Sequence, residues 1–206
     1  MKNFLREWGI FIAIILVVIL SRIFIWGQVI VDGHSMDPGL ADKQRLIVLK
    51  MAQPKRFDIV VAHETNPSKD IVKRVIGLPG DTITFNHDKL TINGKTYSEP
   101  YLADFQKQLA DGKLAQTYAA YPLSDTVTQA DRTNFVAMAQ SAKAFTEDNS
   151  GNATFTVKVP AGEYYLMGDN RVISADSRVV GPFPRSQITG VAVLRIWPLN
   201  KIGLIK

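Results

Sequence analysis

Residues Trp8 to Leu20 carry no polar side chain, and apolar character resumes at Ile23 to Trp26 after Ser21 and Arg22. A run of this kind must be buried in a core or in lipid, so it limits the fold more than any other stretch of the chain. Trp8 to Trp26 is nineteen residues. As a helix that stretch rises about 28 Å, close to the roughly 30 Å hydrocarbon thickness, with a tryptophan at each interface. The expectation is one transmembrane anchor within residues 1–27. Arg22 lies near enough to its end for the guanidinium to snorkel into the headgroups. Ser21-Arg22-Ile23-Phe24 offers no small-residue cleavage site, so the segment reads as an uncleaved anchor. Lys2 and Arg6 precede it, and the positive-inside rule then predicts a cytoplasmic N-terminus, an extracytoplasmic remainder and a single-pass protein of the cell membrane.

Beyond the anchor, 206 residues allow one domain with an accessory segment. Hydrophobic residues at 46% and charged ones at 21% fit a chain that buries a core, which excludes disorder throughout. The formal net charge is +5. No Lys/Arg-rich block or interleaving of basic and aromatic residues accompanies it, so nucleic acid is not the expected partner and an anionic membrane surface fits better. There are no cysteines, which removes disulfides and thiolate metal sites.

Short β-branched runs follow the anchor. Arg45 to Lys50, Phe57 to Ala62 and Asp70 to Gly77 read as strands, with Pro54 and Asn66-Pro67 as boundaries. Thr82 to Phe85 and Leu90 to Ile92 form a pair, and Asn93-Gly94 is a strong hairpin signal. Leu102 to about Phe155 changes period. Leu102, Phe105, Leu109 and Ala110, and later Phe135, Met138, Ala139, Ala142 and Phe145, have helical spacing, so two amphipathic helices are expected. Strands return at Thr154 to Val159, Glu163 to Met167 and Gly190 to Trp197. The expected architecture is mainly β. A β-rich catalytic domain over 28–101 and 155–206 carries a small, partly helical cap insertion over 102–154, behind one N-terminal transmembrane helix.

The chemistry starts at Gly33-His34-Ser35-Met36-Asp37-Pro38-Gly39-Leu40. Pro38-Gly39 predicts a type II turn with positive φ at the glycine, which leaves the Ser35 hydroxyl reachable. A serine is a poor nucleophile at neutral pH and needs a base within about 3 Å. The three histidines, His34, His63 and His87, read as surface residues, and His34 is expected to point away from its neighbour. Lysine is the other candidate, because burial opposes its charged form. Lys73 lies in an apolar strand with Ile71 and Val75 on its own face. Bringing its pKa from about 10.4 to about 7 or 8 requires roughly 3 to 5 kcal/mol against the ammonium, which a desolvated site can supply.

A third stretch, Gly168-Asp169-Asn170-Arg171-Val172-Ile173-Ser174-Ala175-Asp176-Ser177-Arg178, follows the strand ending at Met167. Ser35-Met36-Asp37-Pro38, then Lys73-Arg74-Val75-Ile76-Gly77-Leu78-Pro79-Gly80-Asp81, then this run, in that order behind an anchor, closely resembles the bacterial type I signal peptidases. The resemblance covers about Gln28 to Tyr101 and Phe155 to Gly203. It implies a signal-peptidase-like β-rich fold and a Ser-Lys dyad with Ser35 as nucleophile and Lys73 as general base. It further implies that the Ser174 hydroxyl orients the Lys73 amine, and that Asp169, Asp176, Arg74 and Arg178 brace the site as ion pairs. The activity it implies is cleavage of signal peptides after small residues in Ala-X-Ala type sites.

On that resemblance the partners are secreted preproteins, through their signal peptide region, and membrane lipid. The protein is expected to be a monomer that needs no cofactor or metal. Gly39 stands where the family usually has threonine. Gly33 stands where some members place a serine hydroxyl as an oxyanion donor, so the Ser35 backbone N–H becomes the principal donor, with the Gly33 backbone as a candidate helper. By position, Val31, Met36, Leu40 and Val72 are the expected substrate pocket. The reading from another class is a catalytically inactive, membrane-anchored protein that binds exported chains; the presence of Ser35, Lys73 and Ser174 together argues for the enzyme.

Overall fold

The computed structural model describes residues 2–65 and 68–205, with side chains described for 8–64 and 69–205. The Asn66-Pro67 boundary, and the side chains of Lys2 and Arg6 on which the topology argument leaned, lie outside the described residues. In chain order the elements are α1 (Lys2–Phe24), β1 (Trp26–Ile30), β2 (Arg45–Leu49), β3 (Ile59–Thr65), β4 (Ser68–Gly77), β5 (Thr82–Asn86), β6 (Lys89–Ile92) and β7 (Lys95–Tyr97). Then come α2 (Ala103–Ala110), α3 (Leu114–Ala119), α4 (Gln129–Ser141), β8 (Thr154–Lys158), β9 (Glu163–Met167), α5 (Ser177–Val180), β10 (Phe183–Pro184), β11 (Ile188–Trp197) and β12 (Gly203–Leu204).

The larger sheet has the order β1-β2-β11-β3-β4-β9-β10, with β12 paired to β11. Its interior strand β3 is buried on both faces, which is why Ile59-Val60-Val61-Ala62 reads as an unbroken apolar run and not an alternation. Ile59 and Val61 join Val31, Met36, Leu40, Leu46 and Val48 in one cluster. Val60 and Ala62 face the other way, onto Val75, Leu166 and Ile188. Burial of each such side chain contributes about 1.5 to 3 kcal/mol. The smaller sheet, β7-β6-β5-β8, turns Ile83, Phe85, Leu90 and Ile92 onto Ile76, Tyr165 and Met167. Its β6–β7 hairpin turns at Asn93 (φ 50°) and Gly94 (φ 79°), the two left-handed residues that a type I′ turn needs.

The insertion between β7 and β8 has a core of its own built on Phe105, Leu114, Tyr118 and Phe145. It holds three helices where two were expected. Gly112, at φ 69°, ends the first helical segment and lets α3 start at Leu114. Thr128 and Asp131 form a capping box that starts α4.

Two expectations are corrected here. The fold is mixed β/α, two sheets with a small helical insertion, and not the mainly β domain behind a transmembrane helix that was expected. Among the described residues no helix is long and apolar enough to cross a membrane. The nineteen-residue count assumed a helix to Trp26, but α1 ends at Phe24 and Trp26 already opens β1. From Trp8 to Phe24 the helix is seventeen residues, a rise of about 25 Å against the roughly 30 Å needed. The single-pass topology with a cytoplasmic N-terminus is therefore not supported. Apolar side chains of α1, Ile10, Phe11 and Val17 among them, are exposed. At the C-terminal end of α1 the Lys50 ammonium donates to the free carbonyl of Ile23 at 2.8 Å, a cation on the negative pole of the helix.

Candidate active site

Ser35 sits in the loop that leaves β1 after Val31. That loop is closed by Val31 N–H donating to the Gln44 carbonyl and Lys43 N–H to the Val31 carbonyl, both at 2.8 Å. The turn beyond Ser35 differs from the expected type II turn. The Asp37–Pro38 peptide is cis and Gly39 does not take a positive φ. The constraint at 39 is one of space instead: a Cβ there would stand 2.7 Å from Asp169 Oδ2, so a larger residue requires that carboxylate to shift. Gly33 does carry the positive φ, 86°, and its N–H donates to Asp42 Oδ1 at 2.8 Å, which removes it as an oxyanion helper. No acceptor among the described residues takes the Ser35 N–H. The Ser35 carbonyl accepts from Asn170 N–H at 3.0 Å.

Lys73 lies on β4 opposite Val60 and is 4% exposed. Among the described residues its ammonium makes no ion pair. Burial pushes its pKa down to about 8, the Asp176 carboxylate working in the opposite direction and Lys69 and Arg178 adding to the fall. Ser174 is 7% exposed and its Oγ has no hydrogen-bond partner among the described residues. It packs on Gly168, where an added Cβ would fall on the Ser174 hydroxyl and on the Ser35 carbonyl. Gly168 thus brings Ser35 and Ser174 together. Ser35, Lys73, Val31, Met36 and Val72 line one cleft of about 510 Å³, and Leu40 lies beneath it in the same cluster as Val31 and Met36. Thr126, Val127 and Phe135 of the insertion form part of the opposite wall.

Three arginine–carboxylate pairs surround this arrangement, all buried. Arg74 grips Asp169 through two bonds of 2.8 and 2.7 Å, and its guanidinium lies 3.9 Å from the centre of the Tyr101 ring. Arg178 grips Asp176 at 2.9 and 2.8 Å and also donates to the carbonyls of Arg171 (2.7 Å) and Ser174 (3.3 Å). Burial works to raise the Asp176 pKa, but Arg178, Lys73 and the Gly168 N–H hold the carboxyl below the usual range. The third pair, Arg171 with Glu99, was not foreseen. Arg171 lies inside the quoted run and Glu99 just before the insertion, and nothing local in either stretch links them. Its guanidinium also donates to the Gly168 carbonyl at 2.9 Å.

The histidines divide. His63 pairs with Asp70 on the outside of β3 and β4, and His87 bonds its neighbour Asn86 in an exposed turn. His34 is not the surface residue that was expected. Its Nδ1 lies 2.8 Å from Asp37 Oδ2, its side chain is 9% exposed, and its ring stacks on Tyr121 of the insertion.

Ser35 and the buried Lys73, with its lowered pKa, share one cleft, and the Ser174 hydroxyl packs on Gly168 beside the Ser35 carbonyl, an arrangement that suits hydrolysis of the serine type with lysine in place of histidine. A family model described as signal peptidase, peptidase S26, matches residues 5–197. The chain is 52% identical over 202 residues to signal peptidase I of Streptococcus pneumoniae serotype 4, covering 98% of this chain and 97% of that one. It is 35% identical over 202 residues to signal peptidase I of Bacillus caldolyticus, covering 96% and 93%. A crystal structure of a signal peptidase I from Enterococcus faecalis V583 is 28% identical, with a TM-score of 0.46, over 68% of this chain and 97% of that one. The chain belongs to the signal peptidase family, peptidase S26. It is a membrane-associated serine endopeptidase of the signal peptidase I kind, acting on signal peptides.

Proposed function

We propose that this enzyme removes signal peptides from exported preproteins by cutting after a small residue, with Ser35 as nucleophile and Lys73 as general base. The observation that carries the reading is the burial of Lys73 beside the Ser35 cleft, which holds its pKa at about 8. A substantial fraction of the amine is then neutral at physiological pH, as a base must be. The neutral amine takes the Ser35 Oγ proton as Oγ attacks the scissile carbonyl carbon. The oxygen that becomes negative accepts from the Ser35 N–H. As the tetrahedral species collapses, the Lys73 ammonium returns its proton to the departing amine and leaves the signal peptide esterified to Ser35. Water then repeats the sequence, with Lys73 taking its proton and handing one back to Ser35 Oγ.

Ser174 is assigned to orienting the Lys73 amine, which its unpartnered buried hydroxyl supports. Asp169 with Arg74, and Asp176 with Arg178, hold the supporting loop. Val31, Met36, Leu40 and Val72 fill the base of the cleft with apolar volume, leaving recesses suited to small side chains. The extended substrate adds as a strand beside β4, whose Lys69–Val72 stretch pairs on one side only, with β3. The test is incubation of the detergent-solubilised protein with an exported precursor. A cut at the small-residue site by the wild type, lost in both Ser35→Ala and Lys73→Ala, is expected; a Lys73→Ala protein that still cleaves overturns the dyad.

A further inference from the structure

The helical insertion meets the serine loop through a compact polar and aromatic cluster. The Tyr121 ring lies parallel to His34, the residue before Ser35, at 3.8 Å between centres and 11° between planes. His34 Nδ1 is bound to Asp37 Oδ2 on the far side of the serine, at 2.8 Å. The Tyr121 hydroxyl lies near the Asp37 carboxylate and accepts from Asn170 Nδ2 at 3.3 Å. Asn170 closes the circuit: its Nδ2 donates to the His34 carbonyl at 3.1 Å and its N–H to the Ser35 carbonyl at 3.0 Å. Tyr118, also from the insertion, fixes the amide by donating to Asn170 Oδ1 at 2.5 Å. Tyr118 and Asn170 are fully buried, Tyr121 and Asp37 nearly so.

We infer that Tyr121 and Tyr118 of the insertion are positioning residues for the reaction, setting the direction of the Ser35 hydroxyl through His34, Asp37 and Asn170. The inference rests on Ser35 being the nucleophile and goes beyond that reading, because it makes the insertion a working part of the site. The residues on both sides of Ser35, and its own carbonyl, are held by groups that answer to the insertion. Among the described residues no hydrogen bond claims the Ser35 hydroxyl or N–H, the atoms the chemistry uses. A nucleophile displaced by about 1 Å costs on the order of a hundredfold in rate, so a contact this close has kinetic leverage. The Tyr121 hydroxyl is held protonated, its pKa raised by burial and by the Asp37 carboxylate, so it acts as a fixed donor in the cluster.

The experiment measures kcat and KM separately on a precursor peptide, with thermal unfolding of each variant, for Ser35→Ala, Tyr121→Phe, Tyr121→Leu and Tyr118→Phe. Tyr121→Phe keeps the ring on His34 and should retain kcat within about threefold, whereas Tyr121→Leu should lose at least about tenfold in kcat with KM within about twofold. Tyr118→Phe frees the Asn170 amide with the least change of shape and should lower kcat about three- to tenfold at constant KM; it decides the question should Tyr121→Leu not fold. A Ser35→Ala protein that still cleaves overturns both the nucleophile assignment and this inference. An inactive Ser35→Ala protein together with folded Tyr121→Leu and Tyr118→Phe variants of unchanged kcat, or with losses confined to KM, overturns the positioning role alone.

Discussion

Ser174 and Gly168 touch so closely that a β-carbon on residue 168 would stand 2.6 Å from the Ser174 Cβ, a separation real side chains do not adopt. Gly168 does not have a positive φ, so the requirement is for space between the Ser174 side chain and the Ser35 carbonyl. Gly168→Ala is therefore expected to push the two serines apart. It should lower kcat at least about tenfold and cost about 1 to 3 kcal/mol of stability through overpacking. Steady-state kinetics with urea unfolding checks this, and a variant with wild-type kcat would show that the spacing of Ser35 and Ser174 does not matter.

The pH profile should follow Lys73. With the amine at about 8, kcat/KM is expected to rise with pH through a single apparent pKa near that value and to level off above it. The stability effect has a definite sign. The folded pKa lies below the ordinary 10.5, so between about 8 and 10.5 the unfolded chain binds the proton and the folded one does not. Stability therefore falls as pH drops through that window, by an amount on the order of 3 kcal/mol, and stays level below it. Lys73→Met should abolish cleavage and remove this slope, leaving a domain at least as stable at neutral pH. Urea unfolding of both proteins from pH 6 to 11 tests it; a methionine variant clearly less stable at pH 7 would make Lys73 a charged, paired residue.

Arg74 and Asp169 are both fully buried and joined by two hydrogen bonds. Replacing either partner takes from the other the opposite charge to which it is bonded in the interior. Asp169→Asn and Arg74→Met should each cost about 3 to 5 kcal/mol, with the double variant losing much less than the sum. A double-mutant cycle by chemical denaturation gives the coupling. Additive losses would mean that the two side chains stabilise the fold independently.

His63→Ala and His87→Ala should leave turnover unchanged, because neither ring lines the cleft and the bonds they make to Asp70 and Asn86 lie on the outside. His34→Ala should lower kcat, because it deletes both the stack on Tyr121 and the bond to Asp37. Equal kcat in all three variants would remove His34 from the site.

Phe135 meets the cleft from the insertion without touching the polar cluster around Asn170 through a hydrogen bond. Its loss should weaken substrate in the ground and transition states alike. Phe135→Ala is thus expected to raise KM a few-fold at constant kcat. A fall in kcat at constant KM would place Phe135 with the positioning residues instead.

Local pattern was enough to find most of the sheet and the stretches that line the cleft. Arg45 to Leu49 and Thr82 to Phe85 announce themselves by β-branched composition and bounding turns, and Lys73 and Arg74 stand out as two cations between the apolar pairs Ile71-Val72 and Val75-Ile76. Other features were hidden for identifiable reasons. Trp26 reads as the end of the apolar helix and the residues after Gly27 as a lead into the serine loop, because Trp, Val and Ile suit a helix and a strand equally well; only pairing with β2 decides between them. Leu114 to Ala119 is too short for its period to register. His34 looked like a surface residue since its neighbours are polar, and the aromatic ring that covers it lies eighty-seven positions further on (121 − 34 = 87). Glu99 and Arg171 are likewise joined only by tertiary folding, across seventy-two residues. At Gly39 the turn pattern suggested backbone freedom, whereas the constraint that shows is the close Asp169 carboxylate, which a side chain there would have to displace.

β11 holds a particular place in the larger sheet. β1 and β2 support the serine loop and β3 and β4 carry the lysine, yet among the described residues β2 and β3 do not pair; β11, from Ile188 to Trp197, runs between them. Within that sheet the separation of the two candidate residues is therefore set through a strand that contributes neither of them, and off the sheet it is set by the Asn170 N–H on the Ser35 carbonyl and by the pairing of β9 with β4.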